Sequence, residues 1–310
     1  MDMNKLAETL LSHMRKVPDE IAILNLRRLS VDDLTRKLKK LLKSSDDVCG
    51  FPLERGHWTR FDDRTLVRLP EGGYAAMYHA SGAVKLFSGM APMDRLFKDT
   101  PSRESMIART EEIVKQMGLA EQLPRGQSLS FERLWQIKAA GMDRSGKQSD
   151  PVVCRSIGAF RHFIGEIPVL GAASVAVKVA GDSSLDMMTM HLRGPAVETL
   201  EHAKTIHPEK AFRRILEKVA DKLSHASDKD EVVVEADKPL QFGYINLSKR
   251  KVQRLLAPAY VASFSVTHAQ ESQAFMVVIP ATERSYMSFE PETHESPVME
   301  TSKLAARCCC

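Results

Sequence analysis

The sequence predicts an α+β protein: tandem two-layer units of antiparallel sheet with one packed helix each, preceded by a small helical segment. Three observations carry this. Amphipathic helical patterns occur near residues 31–43, 103–117 and 208–223. Period-two apolar alternation fills most of what lies between and after them. Gly- and Pro-containing turns separate the alternating runs. At 310 residues the chain is long enough for one sizeable core or two modest ones, and 43% hydrophobic with 27% charged residues is the balance of a globular chain. The expected divisions are 1–50, a helical segment; 51–194 and 195–283, two α+β units; and 284–310, a tail.

The first fifty residues read as helical. The start, MDMNKLAETLLSHMRK, mixes charges with apolar residues and lacks the continuous apolar centre of a leader peptide. In SVDDLTRKLKKLLKSSDD, Ser30 can cap a helix with Asp33 three residues on. Val31, Leu34, Leu38, Leu41 and Leu42 then share one face, and Lys37, Lys40 and Lys43 are among the cations on the rest. That basic face is either a solvated surface or an adsorption surface for acidic headgroups.

From Thr65, TLVRLPEGGYAAMYHASGAVKLFSGM reads as strands joined at Gly72-Gly73 and Ser81-Gly82. SRESMIARTEEIVKQMGL is a helix capped by Ser102 and ended by Gly118. LSFERLWQIKAAG suggests a buried strand with imperfect alternation, and residues 141–151 a polar loop at a sheet edge. Ser156–Leu170 and Ala173–Ala180 are expected strands parted at Gly171, with Leu185–Arg193 a third. Pro168 cannot donate to a ladder, so it marks a bend or an edge. HPEKAFRRILEKVADKLSHA opens with Pro208 in the first turn of a helix, and further strands are expected at 231–236, 240–245, 258–267 and 274–279.

Residues 103–192, with a helix ending in MGL and then GEIPVLGAASVAVKVAGDSS, resemble the propeptide domain of fungalysin- and thermolysin-type metallopeptidases. Residues 207–282, from HPEKAFRRIL to AFMVVIPAT, resemble the PepSY domain that usually follows it. The resemblance implies a non-catalytic fold that assists or inhibits another protein. No peptidase follows, because His294-Glu295 continues Ser-Pro-Val and does not complete HExxH.

No nucleophile elbow, phosphate-binding loop or dinucleotide motif occurs, so no catalytic residue, cofactor or metal is assigned. His191, His202 and His207 have no metal-binding spacing. The expected function is a cytoplasmic, non-enzymatic module that binds a protein or peptide, with neither nucleic acid nor a small-molecule substrate as partner. A net charge of +4 is too small to imply nucleic acid, and an odd count of five cysteines, Cys49 and Cys154 far apart and three consecutive at 308–310, is no disulfide framework. The candidate partner-binding residues are Arg161, His162 and Glu166 around the 160–171 bend, with Met187, Met188 and Met190 as adaptable apolar contacts. Two alternatives stand beside this. One is a membrane-tethered adaptor with Cys308, Cys309 and Cys310 lipidated or otherwise thiol-reactive. The other is a thiol enzyme built on Cys154 and His162.

Overall fold

A computed structural model describes residues 3–12, 14, 16–49, 55–172, 174–192, 196–223, 232–268 and 271–286. The α+β class holds. The first half contains α2 (Val31–Cys49), the strands β2 (His57–Arg60), β3 (Arg64–Arg68), β4 (Tyr74–Tyr78) and β5 (Val84–Phe87), then α3 (Arg103–Gln116). It continues with β6 (Gln127–Ala139), β7 (Val152–Ile164), β8 (Ile167–Leu170), β9 (Val175–Val179) and β10 (Leu185–Met190). Strands β7, β9, β10, β5, β4, β3 and β2 lie side by side in that order, and β6 pairs with β7. Every pairing among them is antiparallel.

Local chemistry sets the helix ends. The Ser30 hydroxyl oxygen accepts from Asp33 N at 3.0 Å and donates to the Asp33 carboxylate at 2.7 Å, fixing the start of α2. Ser102 Oγ accepts from Ser105 N at the start of α3. Gly118, at φ +59°, ends that helix in the left-handed region. Leu34, Leu38, Leu41 and Leu42 of α2, with Met106, Ile113 and Val114 of α3, pack on the inward faces of the sheet. Gly158 in β7 makes room for this: a Cβ there would lie 2.3 Å from Thr110 Oγ1 of α3.

The second half contains α4 (Pro208–Leu223), β12 (Val232–Ala236), β13 (Gln241–Ile245), β15 (Pro258–His268) and β16 (Glu271–Pro280). Strand β15 pairs with β16 along one side and with β12 and β13 along the other. Ala211, Ile215 and Val219 of α4 bury against Tyr260, Phe264 and Val277 of this sheet. The two sheets are continuous through β8, which pairs antiparallel with β7 and parallel with β13.

The first fifty residues depart from the expected helical segment. Helix α1 (Met3–Leu11) is followed by a strand, β1 (Glu20–Leu26), which pairs with β11 (Ala196–Lys204) and the two-residue β14 (Leu255–Leu256). Leu6, Leu10, Ile21, Leu24 and Leu26 belong to the second core, while α2 belongs to the first. Each core therefore takes two helices, and a boundary at residue 50 does not separate one core from another. Ile21 and Ile23 are buried because β1 finds partners about 180 residues away in sequence, as the Glu20–Lys204 and Ile23–Glu201 pairs show.

Candidate functional site

Strand β6 was expected to be buried, and it is mostly exposed. It pairs with β7 on one side, and no strand among the described residues pairs with its other side. Its imperfect alternation has a structural cause. The register shifts between Phe131 and Arg133, so Glu132 is an extra residue that turns over the inward and outward positions. Leu129 and Phe131 pack against the first core before the bulge, and Leu134 is buried after it. Trp135 and Ile137 then face solvent, at 44% and 42% exposure. The Arg133 guanidinium lies 5.5 Å from the Trp135 ring centroid.

Beside the bulge is a groove of about 410 Å³ at the seam of the two halves. Ser130 and Glu132 of β6, Arg161 and Phe163 of β7, Pro168 of β8 and Phe242 of β13 are among its lining residues. The chain reaches this arrangement through the β7–β8 turn, where Gly165 has φ +58° and Glu166 is exposed at the tip. A positive φ at the first of the two central residues is what a type II′ hairpin turn requires.

Of the sequence-predicted residues, Arg161 is in the groove, but its guanidinium is already engaged. It pairs with Glu132 at 2.8 Å and donates to the carbonyls of Val169 (3.0 Å) and Ala172 (3.2 Å). It thereby fixes the bend and the bulge relative to each other. His162 points away from a partner surface: it is buried, its Nε2 lies 2.8 Å from Gln127 Oε1, and its backbone N donates to Ser174 Oγ. Burial lowers its pKa to about 4, so the ring is neutral near pH 7. Glu166 is the one of the three polar candidates left fully to solvent.

The methionines need correction as contact residues. Met188 and Met190 are 0% and 2% exposed in the first core, and Met187 is half-buried. Strand β10 carries a partner strand on both sides, β5 and β9, so its methionines fill core and offer no edge. The thiol dyad also fails geometrically. Cys154 and His162 are eight residues apart on the single strand β7, which at ~3.3 Å per residue separates them by roughly 26 Å. Cys154 is a buried free thiol. Cys308, Cys309, Cys310 and His294-Glu295 lie outside the described residues. Among the described residues no group of three or more His, Cys, Asp or Glu side chains could hold a metal ion.

Sequence reasoning missed a buried ionic cluster. Asp186 of β10 accepts from Arg155 Nε at 2.8 Å and from Lys178 Nζ at 2.9 Å. Arg155 also donates to the carbonyls of Ala91 and Asp94, both at 2.8 Å, tying the loop after β5 to the sheet. All of its partners are internal, so its work is structural. The only sequence signal was an Asp and a Lys, each within a strand otherwise reading as apolar.

Together these features define an α+β protein in which two cores share a continuous sheet and one long edge strand stands open beside a groove. No family model matches the chain, and no curated protein matches its sequence. Among solved structures it is similar to an uncharacterized protein from Eubacterium rectale ATCC 33656, with a TM-score of 0.51 and 12% identity. The match covers 87% of this chain and 85% of that one. At this identity the likeness concerns the fold alone. No helix among the described residues is long and apolar enough to cross a membrane.

Proposed function

We propose that the protein is a non-enzymatic binding module that captures an extended segment of another protein by adding it as a strand to β6. The observation carrying this is the open edge of a 13-residue strand next to a groove of about 410 Å³. Unpaired amides and carbonyls along such an edge supply affinity, and side chains beside it supply selectivity. Trp135 and Ile137 offer apolar contact, and the Arg161–Glu132 pair with Phe163 and Pro168 offers a shaped, partly polar pocket for one residue of the incoming strand. An inhibitor- or chaperone-like role, as the propeptide and PepSY resemblance implies, fits this mode. A reducing, cytoplasmic setting fits the buried free thiol of Cys154.

The test is selection of binders from a library of extended random peptides, followed by hydrogen exchange on the complex. Bound peptide should slow exchange of alternate amides of β6, and Trp135→Ser with Ile137→Ser should weaken binding by about tenfold or more. Protection that maps elsewhere overturns the reading. So does β6 already protected in the free protein because two copies pair along it.

A further inference from the structure

A second cavity, of about 240 Å³, lies on the seam away from β6. Its walls come from the segment joining β1 to α2, from α2 itself, from the β4–β5 turn and from the loop before β14. Four cationic residues are among those lining it: Arg27, Arg28, Lys37 and Arg254. No Asp or Glu does. None of the four makes an ion pair with a described residue, although neighbouring cations do: Arg36 pairs with Asp33 and Arg60 with Asp32. The acids of the first turn of α2 are therefore occupied, and the cavity is left with positive charge alone.

Arg27, Arg28 and Arg254 are exposed at the mouth, where water screens their mutual repulsion, whereas Lys37 is largely withdrawn from water, a desolvation that lowers its pKa. Three guanidiniums can each present two parallel N–H donors, which match the oxygens of a phosphate or carboxylate. The walls are also held in place before any ligand arrives. Ser81 donates to Lys249 O at 2.7 Å, and Leu26 N donates to Arg254 O at 2.7 Å, so both halves of the chain frame the cavity.

We propose that this cavity is a binding site for a small soluble phosphate monoester, with Arg27, Arg28, Lys37 and Arg254 neutralising the phosphate. The dianion matches the excess of cations better than a single carboxylate does. The volume lies below the ~300–1,000 Å³ of drug-sized sites, which favours a short organic body over a nucleotide. Because the walls come from both halves, the ligand stabilises the seam between them.

Calorimetric titration of the full chain with inorganic phosphate and with glycerol 3-phosphate tests this, with co-sedimentation on phosphatidylcholine vesicles containing phosphatidic acid as the lipid arm. Both soluble ligands should bind. Arg254→Gln and Lys37→Met should each weaken binding by about tenfold, the scale of one charge-assisted hydrogen bond, while the exposed Lys40→Met leaves it unchanged. Lys37→Met should also melt at a higher temperature without ligand, since it removes a desolvated, unpaired charge. Should that variant misfold, Arg254→Gln, at an exposed position, decides the matter alone. An equal thermal response to sodium chloride at matched ionic strength, unchanged affinity in Arg254→Gln, or binding to vesicles without binding to glycerol 3-phosphate each overturns the proposal.

Discussion

At the scale of single residues, His162 shows how burial converts a candidate recognition group into a stability determinant. Its ordinary pKa of 6.5 falls to about 4 in the fold, because burial desolvates the ring. Below pH 6.5 the unfolded chain takes up a proton that the folded chain refuses. The stability this group contributes is therefore complete above pH 6.5 and is lost as pH falls from there towards 4. The shift corresponds to about 3 kcal/mol over that window. His162→Gln should be less sensitive than the parent between pH 6.5 and 4 in denaturant unfolding, with the difference between the two curves closing by roughly that amount. Parallel curves would show that the histidine titrates normally. Arg161, one position before it, faces the groove, as alternation along β7 requires, and the two neighbours thus have different roles despite being adjacent in sequence.

At the scale of elements, the parts legible in the sequence are those determined locally. The caps at Ser30 and Ser102 and the left-handed Gly118 depend on a few adjacent residues, and each stands where its local chemistry put it, whereas Ser156–Leu170, expected as one strand, is broken into β7 and β8 by the turn at Gly165. Strand β1 was not legible, because what makes Glu20–Leu26 a strand is pairing with β11, far along the chain. The open edge of β6 was hidden for a related reason: a single bulge at Glu132 reverses which side chains are buried, so Trp135 looks like core in the sequence and is surface in the fold. Of the candidate site, the bend at 160–171 was visible through its Gly and Pro residues, whereas the basic cavity was not. Arg27-Arg28 and Arg254 meet only because β14 is brought to β1. Packing between elements is equally specific at Gly158. Gly158→Ala puts a Cβ 2.3 Å from Thr110 Oγ1 and 2.7 Å from Thr110 Cβ, so α3 must move off β7. We expect a loss of about 2–4 kcal/mol in denaturant unfolding, the range of core overpacking at a site that cannot relax. Thr110→Ala should recover part of it, since it removes the nearest atom and leaves the 2.7 Å approach. An undiminished midpoint in Gly158→Ala would show that α3 is loosely held.

At the scale of the whole molecule, the sheets of the two cores are joined through one narrow strand junction, and its backbone geometry is demanding. Strand β8 is four residues long and joins the sheets by only two residue pairs with β13, Val169–Tyr244 and Leu170–Ile245. A Cβ on Gly243 would lie 2.3 Å from Pro168 O, and one on Gly171 would lie 2.9 Å from Asn246 O while φ there is +116°. Both glycines permit a backbone approach that no side chain tolerates. The seam gains further ties from Asn246, whose N donates to Leu170 O and whose side-chain amide donates to His191 O, both at 3.0 Å. Leu170, Ile245, Ala259 and Val261 form a small apolar cluster beneath. Gly243→Ala attacks backbone against backbone, with no flexible side chain to absorb the clash, and should lower stability by about 3 kcal/mol. It should also uncouple the halves. Both tryptophans of the chain, Trp58 and Trp135, sit in the first half, on β2 and β6. Tryptophan fluorescence therefore follows the first core, while far-ultraviolet circular dichroism follows the whole chain. In the parent the two signals should give one coincident transition, as a cooperative unit requires. In Gly243→Ala the dichroism midpoint should fall below the fluorescence midpoint, because the second core is freed from the first and melts earlier. Coincident, unshifted transitions in that variant would mean that β8 and β13 are not what holds the two cores together.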